Sequence, residues 1–409
     1  MSRSDSEQPG RPRLFPEFGP LPEGQWTQGI VPSQGIRQFV SDGRIMSSPP
    51  VMEDQIQPAS LDLRLGPIAY RVRASFLPGP SVPVTQKVES LEMARLDLRG
   101  GAVLERGCVY IIPLLEMLDL PRDVYGSANP RSSTGRLDLF TRLICDHGTE
   151  FEVVPGGYRG RLYAEVSPRT FSVRVTEGAR LNQLRLVRGK VPSADRMLVA
   201  LSREEVIVYS DKGAPVRPKI DRGLRLSIDL AGDGNGGIVG YRARANAPVI
   251  DVGLAGYYEL SEFWETITRS AAGRLILSPG EFYILASKER VSVPPVYAAE
   301  LVAYDPAMGE FRVHYAGFFD PGFGYETQPQ MGTRAVLEVR AHEVPFLIED
   351  GQLAGRLVYM RLLERPDKMY GSGIGSAYQR QGLSVSRHFK PEPELNLAGD
   401  LRTKGPETS

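Results

Sequence analysis

The chain has 409 residues, 41% of them hydrophobic, enough to bury sizeable cores in two domains. Its 49 basic residues balance 49 acidic ones, which excludes a broad nucleic-acid footprint and makes any anion site local. No apolar run is long enough to cross a membrane. Only two cysteines occur, Cys108 and Cys145, in no metal-binding spacing, so a cytoplasmic, reduced protein is expected.

Residues 1–28 are rich in Pro, Gly and polar side chains, lack an apolar core of signal-peptide type, and read as a disordered N-terminal tail. Ile36, Phe39 and Val40 stand at i, i+3, i+4 and predict a short helix that Gly43 ends. Residues 109–115, 161–167, 171–175 and 184–187 are apolar, β-branched runs punctuated by Gly, Pro, Asn and Asp, and read as strands. A second helix is predicted over residues 261–270, on Phe263, Trp264 and Ile267. Strands at such spacing suggest barrels or sandwiches rather than βαβ units.

Much of this pattern occurs twice. Residues 107–116 align with 280–289, an offset of 173 (280 − 107). At the same offset Pro121 meets Pro294, Ala164-Glu165-Val166 meets Leu337-Glu338-Val339, and Gly178 meets Gly351. Ser60-Leu61-Asp62-Leu63 resembles Ser227-Ile228-Asp229-Leu230 at an offset of 167 (227 − 60). A register held across separated blocks points to tandem duplication. The expected organisation is a first barrel over 29–215, a second over 216–366, and a C-terminal tail over 367–409.

The densest chemistry lies in Asn129-Pro130-Arg131-Ser132-Ser133-Thr134-Gly135-Arg136. Guanidinium forks suit phosphate oxygens, and hydroxyls can hold phosphate or order a water. A solvated turn between two strands explains the same composition, so both readings stay open at this point.

Further motifs accompany that loop. They are Gln57-Pro58-Ala59-Ser60-Leu61-Asp62-Leu63-Arg64-Leu65-Gly66, Gly157-Tyr158-Arg159-Gly160 with Glu165 five residues on, Phe319-Asp320-Pro321-Gly322-Phe323-Gly324, and Val336-Leu337-Glu338-Val339. Tyr370, Tyr378 and Gln381 follow near the C-terminus. In this order they resemble the dCTP deaminase branch of the dUTPase-like barrel family, over about residues 30 to 389, and the length resembles its long, two-copy subgroup. The resemblance implies a mainly β fold of two tandem dUTPase-like (β-clip) distorted β-barrels with a few short helices. It implies hydrolytic deamination of dCTP to dUTP and ammonia without a metal-bound nucleophile, with a glutamate as general base. A homo-oligomer, with no nucleic-acid or membrane partner, is expected with it. The His/Cys-x-Glu and Pro-Cys-x-x-Cys elements of zinc deaminases are absent, and His147, His314, His342 and His388 are scattered, so no zinc and no protein-bound metal are expected. Mg²⁺ is expected only as counter-ion of the substrate triphosphate.

The two copies differ in completeness. Copy one has the serine loop but carries Pro155 where the family has an aspartate; copy two has Asp320 but reads Val302-Ala303-Tyr304-Asp305-Pro306 opposite the loop. In the family, one barrel's loop meets the Asp and Glu of a neighbouring barrel, so the losses are complementary. The resemblance thus implies one composite site per chain. Its catalytic residues are Glu338, with Glu165 as its rival for the base, together with Ser132 and Arg136. Arg131, Ser133, Asp320, Tyr370, Tyr378 and Gln381 would bind substrate, and whether the barrels meet within or between chains is open. Asp62 and Asp229 read as turn caps, and Gln183 as a nucleotide contact or a surface strand residue. Residues 371–376 read as a phosphate cradle or a Gly-Ser linker, and the tail beyond 366 as a lid that both barrels can lose and still fold. A dUTP diphosphatase, a bifunctional enzyme continuing to dUMP, and a non-catalytic nucleotide-binding barrel are the alternatives.

Overall fold

The computed structural model describes residues 27–191, 195–232, 237–302, 311–313, 317–325, 330–341, 343–371 and 382–391. Tyr378, Gln381 and residues 372–376 lie outside them, as do His314, His342 and residues 303–306. The fold is mainly β.

In the N-terminal half one sheet orders the strands Gly29–Ile30, Arg180–Arg188, Val124–Pro130 and Val153–Val154, with Leu61–Arg64 also on Arg180–Arg188. The other centres on Val109–Asp119 and Arg159–Pro168, flanked by Ile68–Val72 and Leu139–Cys145. In the C-terminal half, Tyr283–Val291 and Thr333–Ala341 form the centre of one sheet, and Leu353–Arg361 and Tyr297–Val302 that of another, with Phe318–Phe319 at its edge. The central pairs share a register. Glu165 stands opposite Ile111 and Glu338 opposite Ile284, so both members shift by 173 positions (338 − 165 and 284 − 111).

The halves are stitched together. Ile250–Asp251 pairs in parallel with Val173–Val175, and Ile30 bridges to Leu362. One core spans most of the N-terminal half and takes in Phe263, Trp264, Phe282 and Phe389; a second gathers apolar side chains from Leu198 to Tyr359. Phe171 meets Phe263 and Trp264 edge-on, with centroids 5.7 and 5.6 Å away. Such contacts add to the apolar area buried at the seam.

The first predicted helix forms as Ser33–Ser41, buries Ile36 and Phe39, and is followed by Gly43 at φ 69°. The second does not. Only Leu260–Phe263 is helical, and Trp264–Thr268 is a strand paired with Ile238–Ala243. The run Thr266-Ile267-Thr268 is β-branched and alternates in burial, a pattern that suits a pleated edge better than a helix face.

Candidate active site

The Arg131–Arg136 segment is not a solvated turn. The chain leaves Val124–Pro130 and winds into a short helix, Ser132–Gly135. The backbone N–H groups of Thr134 and Gly135 donate to the Arg131 carbonyl at 2.8 and 2.9 Å, and that of Arg136 to the Ser132 carbonyl at 3.0 Å. Ser133, Thr134 and Arg136 are buried. This turn faces the C-terminal half of the same chain across a cleft enclosing about 600 Å³ of empty space, part of it open to solvent. Arg131, Ser132 and Arg136 line one wall; Asp320, Glu338 and Tyr370 line the other, with Phe318, Phe319 and Phe323 between them. Ser133 is not among the lining residues; its carbonyl accepts a hydrogen bond from Ser386 Oγ at 2.7 Å behind the loop.

Strand alternation brings Glu338 to the cleft. Leu337 and Val339 enter the second core, and Glu338 and Arg340 point the other way, toward the N-terminal half. Glu338 Oε1 lies 3.9 Å from Arg136 Nε. Two residues on, Arg340 Nε donates to Asp138 at 3.0 Å, which pins the end of the serine loop to this strand. Burial pushes the Glu338 carboxyl up to about 7, against the pull of Arg136. A carboxyl that divides between its two forms near neutral pH can take a proton and return it.

Asp320 is presented by the turn Asp320-Pro321-Gly322-Phe323-Gly324. Gly324 has φ 67°, and a Cβ there would lie 2.2 Å from the Val291 carbonyl oxygen, so the turn needs glycine. Arg185 Nη2 is 3.4 Å from Asp320 Oδ1. Burial raises the Asp320 carboxyl and Arg185 opposes it. Behind the other wall, Arg131 Nη1 is 3.3 Å from Asp62, whose carboxyl burial pushes up to about 6. Asp62 is therefore the buried counter-ion of a cleft arginine rather than a turn cap. Asp229 does cap a turn, accepting from the N–H groups of Ala231 and Gly232 at 3.0 and 3.3 Å. Gln183 is buried, with Ser60 Oγ 3.4 Å from its Oε1, so the surface reading does not hold.

Glu165 sits elsewhere. Arg142 Nε donates to its Oε1 at 3.1 Å, and the Arg142 guanidinium stacks 3.4 Å from the Phe151 ring centroid. It is not among the cleft-lining residues. Nor does the cleft resemble a metal cage: among the described residues no three His, Cys, Asp or Glu side chains gather to hold an ion, and Glu338 and Asp320 each face an arginine.

The models of two known domains cover nearly all of this architecture. The 2'-deoxycytidine 5'-triphosphate deaminase N-terminal domain matches residues 27–190, and the C-terminal domain of the same enzyme matches residues 194–389. The chain belongs to the dCTP deaminase family. Among curated members of the dCTP deaminase family, it is 30% identical over 165 residues to the "dCTP deaminase, dUMP-forming" of a Parafrankia species, across 40% of this chain and 78% of that one. It is 31% identical over 138 residues to the "dCTP deaminase" of Shewanella amazonensis, across 32% of this chain and 68% of that one. The crystal structure of the 2'-deoxycytidine 5'-triphosphate deaminase from Agrobacterium tumefaciens is 49% identical and superposes with a TM-score of 0.79, covering 82% of this chain and all of that one.

Three features of this dCTP deaminase-family cleft escaped the motif reading. Arg185 had a signal, a lone cation in Leu184-Arg185-Leu186, but nothing in the strand says which way it points. The Phe318–Phe319 wall had no role assigned, although Phe319 opens the Asp-Pro-Gly motif. The third is the segment 384–389: Arg136 Nη1 donates to the Ser384 carbonyl at 3.2 Å, and Phe389 is buried among Phe263 and Trp264, with centroids 5.3 and 6.0 Å away. Within the tail, residues 384–389 are therefore anchored in the core.

Proposed function

We propose that this cleft hydrolytically deaminates dCTP to dUTP and ammonia, with Glu338 as the general base. The buried Glu338 carboxyl, poised near pH 7 beside Arg136 and facing the Ser132 loop, carries the reading. Glu338 takes a proton from water as the water oxygen bonds to C4 of cytosine. It then delivers a proton to the amino nitrogen, the C4–N bond breaks, and ammonia leaves. Ser132 orders the water, and Arg136 steadies the ionised carboxylate. Arg131 takes phosphate oxygens; an ionised Asp320 repels them and instead accepts a hydrogen bond from the sugar hydroxyl. Ser133, behind the loop, supports its backbone. Tyr370 closes one side, and Tyr378 and Gln381 are proposed to cover the nucleotide. Mg²⁺ would ride on the triphosphate, held by phosphate oxygens and waters, since among the described residues both cleft-lining carboxylates, Glu338 and Asp320, face an arginine.

The finer architecture is proposed alongside: two tandem dUTPase-like barrels, 29–215 and 216–366, supported by the shared 173-residue register of the central pairs. A homo-oligomer in the cytoplasm is part of the same reading, checked by light scattering and fractionation. A second reading, onward hydrolysis to dUMP, is favoured by the printed name of the Parafrankia relative. Incubating purified protein with dCTP and Mg²⁺ and resolving products by chromatography decides between them. Equal ammonia and dUTP is the expected outcome; dUMP with pyrophosphate supports the second reading; recovered dCTP refutes both.

A further inference from the structure

Arg185 lies on the strand Arg180–Arg188, between Leu184 and Leu186, both fully buried in the first core. Alternation turns its side chain to the opposite face, toward the C-terminal half. There it is wholly buried. Nη1 donates to the Ala299 carbonyl at 3.2 Å, Nη2 reaches Asp320 Oδ1 at 3.4 Å, and the guanidinium lies 3.9 Å from the Phe318 ring centroid. Phe318 and Asp320 both line the cleft, and Arg185 itself is not among the lining residues. Burying a cation is costly unless it is paired, and an apolar side chain would fill this position more cheaply. What the cation adds is a fixed charge behind one cleft carboxylate.

We propose that Arg185 is a positioning residue: it fixes the charge and aim of Asp320, and through Asp320 it sets the affinity for the nucleotide. The inference rests on the dCTP reading above. Asp320 is faced from several elements. Arg185 stands on the N-terminal-half strand. Glu300, on the neighbouring strand Tyr297–Val302, takes a hydrogen bond from Asn129 Nδ2 at 3.1 Å. Asp62 repels Asp320 from Leu61–Arg64. Arg131, Arg136, Glu338 and Tyr370 line the same cleft. Burial already favours the protonated form of Asp320, and Arg185 is the cation in contact with it. Replacing Arg185 by an uncharged side chain removes the cation that opposes the effect of burial on Asp320, which shifts that carboxyl further toward its protonated form. A protonated Asp320 no longer offers both oxygens to a hydroxyl donor, so ground-state binding should suffer while the proton transfers at Glu338 continue.

The test is steady-state kinetics on dCTP between pH 6 and 9 with R185M, R185K, D320N and R185M/D320N. Wild-type turnover of dCTP is the separate control for the functional reading; its absence sinks that reading and not the geometry. The expected result for R185M is a KM raised about tenfold or more at pH 7, kcat within about threefold, and recovery of KM toward pH 9 as Asp320 ionises. R185K should stay within about threefold of wild type at pH 7, and R185M should add less than about twofold in the D320N background. A KM defect of equal size at every pH, or a full additional loss on top of D320N, would show that Arg185 only holds the seam together. Should R185M fail to fold, R185K decides: a KM near wild type from pH 7 to pH 9 supports the proposal, and a KM raised about tenfold at every pH overturns it.

Discussion

Glu338 and Arg136 face each other at 3.9 Å with both side chains buried, so each is sensitive to the loss of the other. Ser132→Ala and Arg136→Ala should each lower kcat/KM. A charge-assisted hydrogen bond from either side chain to the bound nucleotide or its water is worth about 1.5–3 kcal/mol, which sets the expected loss at about one to two decades. Unchanged kinetics in both variants would return the loop to a structural role. The pH profile is a second check. Because burial raises Glu338 to about 7 and the base must be ionised, kcat/KM should fall as pH drops through about 7. A profile flat from pH 6 to 8 contradicts that assignment. At this scale the sequence was informative where residues sit in ordered motifs: Arg131, Ser132, Arg136, Asp320, Glu338 and Tyr370 converge on one cleft. It did not place Arg185, a lone cation in an apolar strand, and Asp62 read as a turn cap, yet both serve the cleft from behind. Their placement follows from strand pairing across the fold and has no local pattern.

The segment 384–389 is built into the first core through Val385 and Phe389. It docks through backbone and side chains together. Ser386 Oγ also lies 2.8 Å from His388 Nδ1, and His388 Nε2 lies 3.1 Å from the Val252 carbonyl oxygen. Burial holds the His388 imidazole down at about 4. In the undocked segment the imidazole should titrate near its ordinary 6.5, so the undocked form binds more protons in between. Docking should therefore be strongest above about 6.5 and weaken as pH falls toward about 4; Arg387, Arg131 and Asp251 are the charged groups acting on this ring. Hydrogen exchange of residues 382–390 at pH 7 and pH 5 measures this, and equal protection at both would contradict it. Phe389→Ala should cost about 3–5 kcal/mol in denaturant unfolding. A tail reading built on the Gly-Ser composition of residues 371–376 missed this anchor. Composition reports what a segment cannot bury, and the burying residues lie beyond it. The strand Trp264–Thr268 was misread because Phe263, Trp264 and Ile267 stand at near-helical spacing, although only Phe263 belongs to the helical turn and the other two lie in the strand that follows it.

For the whole molecule, the organising fact is that each half supplies what the other lacks. Arg136, Asp138, Asn129 and Arg185 reach from the N-terminal half to Glu338, Arg340, Glu300 and Asp320 in the C-terminal half. That the two halves contact each other within one chain was not legible in the sequence, because sequence carries no record of the seam. These links couple the halves energetically. Scanning calorimetry should show one cooperative transition, and two well-separated transitions would contradict the coupling. Arg340→Met leaves the buried Asp138 carboxylate without its cation and should destabilise the protein by about 3–5 kcal/mol, read as a fall in Tm.

The central claim is that one composite cleft, with Glu338 as its base, carries the chemistry, and that Glu165 is a structural ion pair. Ammonia release from dCTP by wild type, Glu338→Gln and Glu165→Gln, with dCTP binding measured in parallel by calorimetry, tests it most directly. The expected result is no turnover with retained binding for Glu338→Gln, and substantial turnover with reduced thermal stability for Glu165→Gln. Turnover by Glu338→Gln together with an inactive, still-folded Glu165→Gln would move the site to the N-terminal half and contradict the account.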